Sequence, residues 1–386
     1  MSDKKKIIIM VMFAVCIHTA LNFGHPVTPT FLKERVIDER YFGILFSTMA
    51  LMMTIFSPFW GSRGDVLGRR VLIAIGMAGY GLGQFIFGIG ETIGIILVGR
   101  AISGCFAAAI FSNQIAAFSE ISNQDNRSRN ISLIVSVGIF ANAIGYFIGG
   151  RLGVIFSATS TLMIQGIFAM TVGFMAYVFY PNTTTVQKER TSFIQNLSNL
   201  KNMDKYIIYL LFSVLFWNLA RNNVAKYFDV YLNNQAFNSA QIGNYIMITG
   251  IIGGLFTLLF VPMITRKFKM LTIMVVSLTV TIVLLFMTFM INNIELAMAS
   301  TYLIYTVLTT VYTSVEQTYI SRSIKQSHGT VLGVRESFRA MGLVIGPLLV
   351  TAIFSKTDEL VFYFNGVIYF VALLFLFVFI YKKIRK

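Results

Sequence analysis

Long apolar runs, each about as long as a membrane crossing, dominate the sequence and leave little room for another architecture. A helix needs about 20 apolar residues to cross the hydrocarbon layer, and in lipid a helix satisfies its own backbone hydrogen bonds. We therefore predict twelve membrane-spanning helices, at residues 7–28, 41–60, 71–90, 93–117, 131–154, 160–180, 206–228, 240–264, 271–292, 296–320, 332–354 and 359–381.

The composition excludes an ordinary soluble domain. Of the 386 residues, 56% are hydrophobic and 12% are charged, and the mean hydropathy is +0.73. A soluble domain carries about 25% charged residues. The net charge of +15 does not come from one basic face, so we expect no nucleic-acid partner. Cys16 and Cys105 both fall inside predicted spans, so we expect neither a disulfide framework nor a cysteine metal site.

The basic residues divide unevenly between the two sides of this topology. With the N-terminus inside, about two thirds of the 31 Lys and Arg residues fall on the cytoplasmic side. The external loops hold only Lys33, Arg35, Arg40, Arg151 and Lys356. Positive charge retains loops on the inner side of a membrane. We therefore predict that both termini are cytoplasmic, in a cytoplasmic membrane of bacterial type.

A polar segment at 181–205 separates six predicted spans from six more. It opens with Pro181, and its apolar residues recur at helical spacing, which favours an amphipathic helix on the inner membrane surface. The predicted domains are an N-terminal six-helix bundle at 1–180, this cytoplasmic linker, and a C-terminal six-helix bundle at 206–386. Two such halves fit repeats related by an axis along the membrane normal.

The decapeptide GSRGDVLGRR at 61–70 lies between the second and third apolar runs. The one acid and three arginines of this segment cannot lie in hydrocarbon, so we predict a short loop at the cytoplasmic face. Gly61, Gly64 and Gly68 would permit tight turning where a Cβ would obstruct. Asp65 can accept hydrogen bonds from an arginine or from a helix N-terminus.

This segment resembles the signature between the second and third spans of the major facilitator superfamily, G-x-L-A-D-R-x-G-R/K-R/K. The matching residues are Gly61, Asp65, Gly68, Arg69 and Arg70. The resemblance implies an all-α polytopic membrane protein with 12 transmembrane helices in two pseudo-symmetric six-helix bundles. It also implies that Asp65 latches the halves in the outward-facing state. Glu120, at the inner end of span 4, is a candidate partner for the arginines.

Span 4 also resembles the superfamily, through Arg100 and through Gly104 four residues later. An arginine within a span must face protein or water. It either ties helices together through polar groups, or, as the family suggests, it couples protonation to the conformational switch. Gly104 is expected to let a neighbouring helix approach closely.

Span 5 resembles the motif G-P-x-x-G-G of the drug-antiporter branch. Gly145, Gly149 and Gly150 match its glycines, and Tyr146 stands in place of the proline. In that branch the motif shapes the helix that controls exchange, whereas three glycines alone are also typical of helix packing. Whether Tyr146 removes antiport is left open.

Two polar stripes predict a hydrated central cavity that holds the substrate. One stripe lies in span 1, where residues spaced i, i+4 and i+7 share a helical face, and the other lies at similar depth in span 7. Hydrogen bonding between helices without a ligand is the alternative. The candidate cavity residues are His18, Asn22, His25, Asn218, Arg221 and Asn222.

Ionisable residues within the spans are few. His18 is a candidate proton carrier because histidine titrates at about pH 6.5, and Glu316 in span 10 is another. Arg335, Glu336 and Arg339 are expected to form a gating cluster at the inner mouth. Basic residues outnumber acidic ones within the spans, which hints at an anionic or zwitterionic substrate.

Together these features predict a secondary active transporter that works by alternating access, most like the 12-span bacterial drug:proton antiporters. The expected partners are a small-molecule or amphiphilic substrate and membrane lipids, with the proton gradient as energy source, no cofactor, no metal, and a monomeric state. Two alternatives remain open: export or flipping of an anionic amphiphile, with Arg221 holding its phosphate, and uptake of an acidic metabolite. An enzyme is not expected, because the sequence offers no cluster of catalytic residues near one interface.

Overall fold

The computed structural model describes residues 3–122, 124–183, 204–323, 328–351, 353 and 358–385, and all regular structure within them is helical. A π-helical turn at Met298–Tyr302 joins the helix Ile294–Ala297 to the helix Leu303–Ser323. The predicted linker helix lies almost wholly at 184–203, outside the described residues. The helices are α1 (Asp3–Asn22), α2 (Thr28–Glu34), α3 (Tyr41–Leu67), α4 (Arg69–Ile89), α5 (Ile93–Glu120), α6 (Gln124–Ile155), α7 (Ala158–Phe179), α8 (Lys205–Asn234), α9 (Ser239–Lys267), α10 (Met270–Thr288), α11 (Ile294–Ala297), α12 (Leu303–Ser323), α13 (His328–Thr351) and α14 (Asp358–Ile384).

Eleven helical segments of the described chain are long and apolar enough to cross a membrane. The remaining long helix is α13, whose hydropathy is lowered by Arg335, Glu336 and Arg339. With α13 included, the described helices supply the twelve predicted crossings. Six come from α1 and α3 to α7, and six come from α8 to α14, where α11, the π turn and α12 form one crossing.

The predicted loop at 61–70 is wrong in its extent. α3 continues through Leu67 and α4 begins at Arg69, so a single residue separates the two helices. A helix end can project past the hydrocarbon into water, and its charged residues then need no loop. Of the three glycines predicted to allow tight turning here, only Gly68, with a φ of 87°, has a backbone conformation that favours glycine.

The outer end of the first span also differs from the prediction. α1 ends at Asn22, and α2 begins at Thr28 with Pro29 in its first turn. Proline fits the first turn of a helix because the backbone N–H it lacks would have no helical partner there. His25 lies in the turn between the two helices, so it is not on the helical face predicted for it.

The described chain separates into two compact units. The first contains α1 to α7 and the segment Leu232–Ile248, which spans the end of α8 and the start of α9. The second contains the rest of α8, up to Tyr231, and the described residues from Thr249 onward. The sequence predicted a division between the sixth and seventh spans, and the structure in addition groups Leu232–Ile248 with the first unit.

In the first unit the core lies between α1 and the helices that surround it. α1 packs against α6 and α7, and α4 packs against both α5 and α7. The buried side chains at the centre of this unit are apolar, as expected for helices that pack in lipid through close contact. They include Met10, Ala14, Ile17, Ile73, Met77, Ala107, Ile110, Ala169 and Val172.

Glycine provides the closest helix contacts of the first unit. A Cβ placed at Gly104 on α5 would overlap the backbone carbonyl of Met49 on α3. Gly94, near the start of the same helix, has no atom within 4 Å of such a Cβ. The predicted close approach at Gly104 is therefore present in the structure, and Gly94 offers a matched position without it.

We predict that Gly104→Ala destabilises the protein by about 1–3 kcal/mol, because the added methyl group must push two backbones apart. Thermal unfolding of the purified protein in detergent measures this as a lowered Tm. The control, Gly94→Ala, should leave Tm unchanged or slightly raised, since alanine restricts the unfolded chain. Equal Tm values for both variants would contradict the packing role of Gly104.

Candidate functional site

The charged residues where α3 meets α4 gather around one arginine. Arg69 begins α4, and its side chain is only 2% exposed. Its Nε and Nη2 donate to Glu120 Oε1 at 2.8 and 2.6 Å, and Nη2 also donates to Asp65 Oδ1. Asp65 is on α3 and Glu120 ends α5, so one guanidinium group joins three helices.

Gly64 provides space for this cluster. A Cβ at Gly64 would overlap Asn113 Oδ1 and would lie 2.6 Å from Arg69 Nη1. Asn113 Oδ1 accepts a hydrogen bond from Arg69 Nη1 at 3.1 Å, and Asn113 Nδ2 donates to the Trp60 carbonyl at 3.2 Å. The sequence reasoning missed Asn113. The sequence feature that could have identified it is the adjacent polar pair Asn113 and Gln114 inside an apolar run.

Gly61, Glu120 and Arg70 make further contacts around this cluster. The carbonyl of Gly61 accepts from Arg69 at 3.4 Å, and Glu120 Oε2 accepts from Thr183 Oγ1 at 2.6 Å. Arg70 instead lies over the Tyr177 ring, with 5.9 Å between Cζ and the ring centroid. Of the two closing arginines, Arg69 therefore binds the carboxylates and Arg70 packs on an aromatic ring.

We predict that Arg69→Lys destabilises the protein by about 2–4 kcal/mol, because an ammonium cannot reproduce the planar fork that binds two carboxylates. The measurement is Tm in detergent. Arg63→Lys is the control, since Arg63 is exposed and contacts the Phe59 ring only by stacking. A Tm for Arg69→Lys equal to that of Arg63→Lys would show that the cluster contributes no stability.

Arg100 is buried among aromatic rings. Its guanidinium carbon lies 4.0 Å from the Phe87 ring centroid and 5.5 Å from that of Phe46. Nη2 donates to Thr28 Oγ1 at 3.4 Å, and Nε has no partner among the described residues. Cation–π contact thus accounts for how this charge is held between α3, α4 and α5. A role in coupling protonation remains a prediction.

The polar stripe of α1 forms a network with two other helices. His18 Nδ1 lies 3.3 Å from Asn142 Oδ1 on α6, and His18 Nε2 lies 3.2 Å from Gln114 Oε1 on α5. Asn22 Nδ2 donates to the same Asn142 oxygen at 2.7 Å. Asn142 and Gln114 were not predicted from the sequence, because the sequence does not show which neighbouring helix a polar residue contacts.

His25 lies in the turn after α1, beyond the polar stripe of that helix. Its ring stacks between Phe46 and Tyr146, with centroid distances of 5.5 and 5.3 Å. Because α1 ends at Asn22, His25 is not on the helical face that the sequence predicted for it, and its place in the cavity stays a prediction. Tyr146 stands where the antiporter motif has proline, and α6 runs through it without interruption.

The three motif glycines of α6 lie at close backbone contacts. A Cβ at Gly145 would collide with the backbone of Thr19 on α1, and one at Gly149 with that of Phe23, which directly follows α1. A Cβ at Gly150 would collide with the carbonyl of Ser239. The Ser239 hydroxyl also donates to the Gly150 carbonyl at 3.1 Å. These glycines thus permit tight packing of α6 on α1 and on the start of α9.

In the second unit, the polar stripe of α8 divides into two kinds of residue. Asn218 and Asn222 donate along their own helix, to the carbonyls of Val214 and Asn218 at 2.8 and 2.6 Å. Arg221 lies between them, is half-buried, and makes no hydrogen bond or ion pair to any described residue. The stripe therefore contains one cation that donates no hydrogen bond to any residue of the described chain.

Glu316 on α12 is bound tightly to α13. Arg335 Nε and Nη2 donate to the two carboxylate oxygens of Glu316 at 2.9 and 2.6 Å, and both side chains are almost wholly buried. Arg335 also contacts Glu336, which accepts from Arg339 at 2.5 Å. The predicted gating residues therefore form a chain of ion pairs that includes Glu316. No group of described residues offers the ligands of a metal site.

The comparison with known families agrees with this architecture. The sequence matches the Major Facilitator Superfamily over residues 7–347. The chain belongs to this superfamily. Membership makes this facilitator a polytopic membrane transporter and not an enzyme, and it accounts for the twelve crossings and the signature around Asp65.

Two bacterial relatives resemble this facilitator along nearly its whole length. Quinolone resistance protein NorA from Staphylococcus aureus strain MSSA476 is 24% identical over 360 residues, which are 92% of this chain and 91% of that protein. Multidrug resistance protein 1 from Bacillus subtilis strain 168 is 24% identical over 377 residues, which are 95% and 94% of the two chains. The facilitator thus resembles the drug:proton antiporter branch.

A solved structure shows the same fold. The bacterial homologue of the human lysosomal transporter Spinster, in an inward-facing and unoccupied conformation, superimposes with a TM-score of 0.79 at 11% sequence identity. The match covers 98% of this facilitator and 96% of that chain. At such low identity the likeness concerns the fold alone.

For this facilitator we predict that Glu316→Gln costs about 3 kcal/mol or more of stability, because Arg335 then keeps a buried charge without its main partner. Glu336→Gln should cost less than about 1 kcal/mol, because the Glu336 side chain is 50% exposed. Tm in detergent measures both. A smaller loss for Glu316→Gln than for Glu336→Gln would refute the assignment of Glu316 as the principal partner.

Proposed function

We propose that this facilitator exports amphipathic small molecules across a bacterial cytoplasmic membrane in exchange for protons. Two relatives that match it almost end to end carry the names quinolone resistance protein and multidrug resistance protein. The excess of basic residues on one side supports cytoplasmic termini. Because a single chain supplies both six-helix halves, we also propose that it works as a monomer among membrane lipids.

The observation that carries proton coupling is the position of His18 between two side-chain amides. Asn142 Oδ1 accepts from Asn22 Nδ2, so the atom that faces His18 Nδ1 is an oxygen. His18 Nδ1 must therefore carry a proton to make a favourable contact. This requirement leaves Nε2, which faces Gln114, as the nitrogen that binds and releases the transported proton.

Gln114 can serve both protonation states of His18. When Nε2 is protonated, Gln114 Oε1 accepts its hydrogen bond at 3.2 Å. When Nε2 is bare, a turn of the amide brings Gln114 Nε2, which has no partner among the described residues, into position to donate. Proton release by His18 is thus linked to movement of a side chain on α5, which also carries Arg100 and Glu120.

Glu316 is the less suitable proton carrier. Both of its carboxylate oxygens accept from Arg335, and a bidentate charged pair favours the ionised carboxylate. Proton uptake by Glu316 would leave the Arg335 charge buried with a weaker partner. His18 differs from Glu316 because its described contacts are the uncharged groups Asn142, Gln114 and the Phe111 ring, so a change in its protonation breaks no ion pair.

The test uses proteoliposomes with an acidic lumen and a fluorescent amphipathic dye outside. We expect wild-type protein to accumulate the dye, and His18→Gln to lose accumulation while retaining exchange of labelled for unlabelled dye. Glutamine keeps a polar side chain but cannot carry the proton. Fluorescence in the lumen measures both reactions.

Cys16→Ala is the matched control, since Cys16 lies on the same helix, two residues from His18, and is absent from the network. It should accumulate dye as the wild type does. Accumulation by wild-type protein that persists after an ionophore collapses the pH gradient would rule out proton coupling. Normal gradient-driven accumulation by His18→Gln would instead remove His18 as the carrier.

A further inference from the structure

Arg221 is a charge within a membrane-spanning helix that has no bonded partner in the described structure. It is half-buried on α8, a helix apolar enough to span the bilayer. It forms neither a hydrogen bond nor an ion pair with any described residue. Ionisable residues inside spans are costly and face the protein interior or a water-filled path. Five guanidinium donors therefore remain available to a ligand.

Two buried tyrosines lie within electrostatic reach of Arg221. The hydroxyl oxygens of Tyr305 on α12 and Tyr369 on α14 are 2.7 Å apart. Both hydroxyl groups interact electrostatically with the Arg221 guanidinium group. Each hydroxyl has one proton, and their mutual hydrogen bond uses only one of the two. One tyrosine O–H is therefore left without an acceptor among the described residues.

A third unpaired donor lies beside this tyrosine pair. The Trp217 ring on α8 is fully buried and packs on Tyr369 and Tyr312, with centroid distances of 5.0 and 3.9 Å. Its indole Nε1 has no described hydrogen-bond acceptor. A guanidinium, a hydroxyl and an indole N–H thus gather in one region, among aromatic rings and with no acceptor to match them.

The carboxylates on α8 and α12, the helices that carry Arg221 and Tyr305, are engaged elsewhere. Glu316 binds Arg335 through both oxygens. Asp229 follows Arg221 by eight residues on α8, which is about 12 Å along the helix axis, and it has other contacts. Neither of these carboxylates is available to Arg221, so a ligand that brings its own acceptor would complete this region.

We propose that Arg221, Tyr305 and Tyr369 form a subsite that binds an anionic group (a carboxylate, sulfonate or phosphate) of the transported amphiphile. This inference rests on the proposed export function and assigns its substrate class. The aromatic rings of Trp217 and the tyrosines contact the apolar part next to the anion. A cation that lacks such a group meets only donors and a like charge here, and binds without the help of this subsite.

The test compares a zwitterionic rhodamine dye that has a free carboxylate with its ethyl ester, in which a neutral ester group replaces that anion. Binding to purified protein in phosphatidylcholine nanodiscs is measured by fluorescence anisotropy. We expect the acid to bind wild-type protein about tenfold to a hundredfold more tightly than the ester, since hydrogen bonds to charged groups are strong. Arg221→Gln should abolish this difference and leave the affinity for the ester unchanged.

Further variants separate charge from folding. Arg221→Lys should retain part of the preference, because it keeps the charge but loses the fork. Tyr305→Phe should weaken binding of the acid about threefold to tenfold, because it removes one O–H donor. Arg385→Gln is the control, since Arg385 is exposed near the end of α14, and it should bind both dyes as the wild type does.

The subsite proposal is overturned if the wild type binds the acid and the ester with equal affinity, or binds neither. It is also overturned if Arg221→Gln loses affinity for the acid and for the ester to the same extent. A preference seen in phosphatidylcholine and abolished in phosphatidylglycerol nanodiscs also overturns it, because lipid headgroups would then be the occupant. These binding outcomes need no pH gradient. Failure of proton-driven accumulation in proteoliposomes would refute the proposed export function while leaving the acid preference in place.

Discussion

The need to satisfy every charge removed from water governs this structure, and Arg69 shows it most directly. Its guanidinium group binds carboxylates from α3 and α5 while it begins α4. The fork fits because Gly64 has no side chain, which leaves room for Asn113 beside it. Three helices are thereby held at one end by a single planar group, so a change in their arrangement must rearrange or break these bonds.

The second unit uses the same principle with different residues. Arg335 joins α12 to α13 through Glu316, and the chain of charges continues through Glu336 to Arg339. Two span arginines depart from it. Arg100 is held by aromatic faces, and Arg221 has no described partner. This contrast distinguishes charges that fix helices from a charge available to bind something else, and it underlies the proposed anionic subsite.

Much of the fold could be predicted because the hydrophobic pattern repeats with the length of a bilayer crossing. The predicted partner Glu120 does lie against Arg69, because Arg69 begins α4 and Glu120 ends α5. The stripe of α1 was predicted less well. His25 lies in a turn among aromatic rings, and the partners of His18 come from 96 and 124 residues away.

The sequence by itself determined the membrane class, the twelve crossings and the family, because hydropathy, charge placement and short signatures act locally along the chain. Only the tertiary structure decided which polar residues meet, because a single helix does not reveal which neighbour its faces contact. Asn142, Gln114 and the Tyr305–Tyr369 pair became visible only when helices distant in sequence were packed together. The segment 61–70, expected to be a loop, likewise became the end of α3 at Leu67 and the start of α4 at Arg69. Its charges are accommodated because Arg69 binds Asp65 and Glu120 where the helices meet.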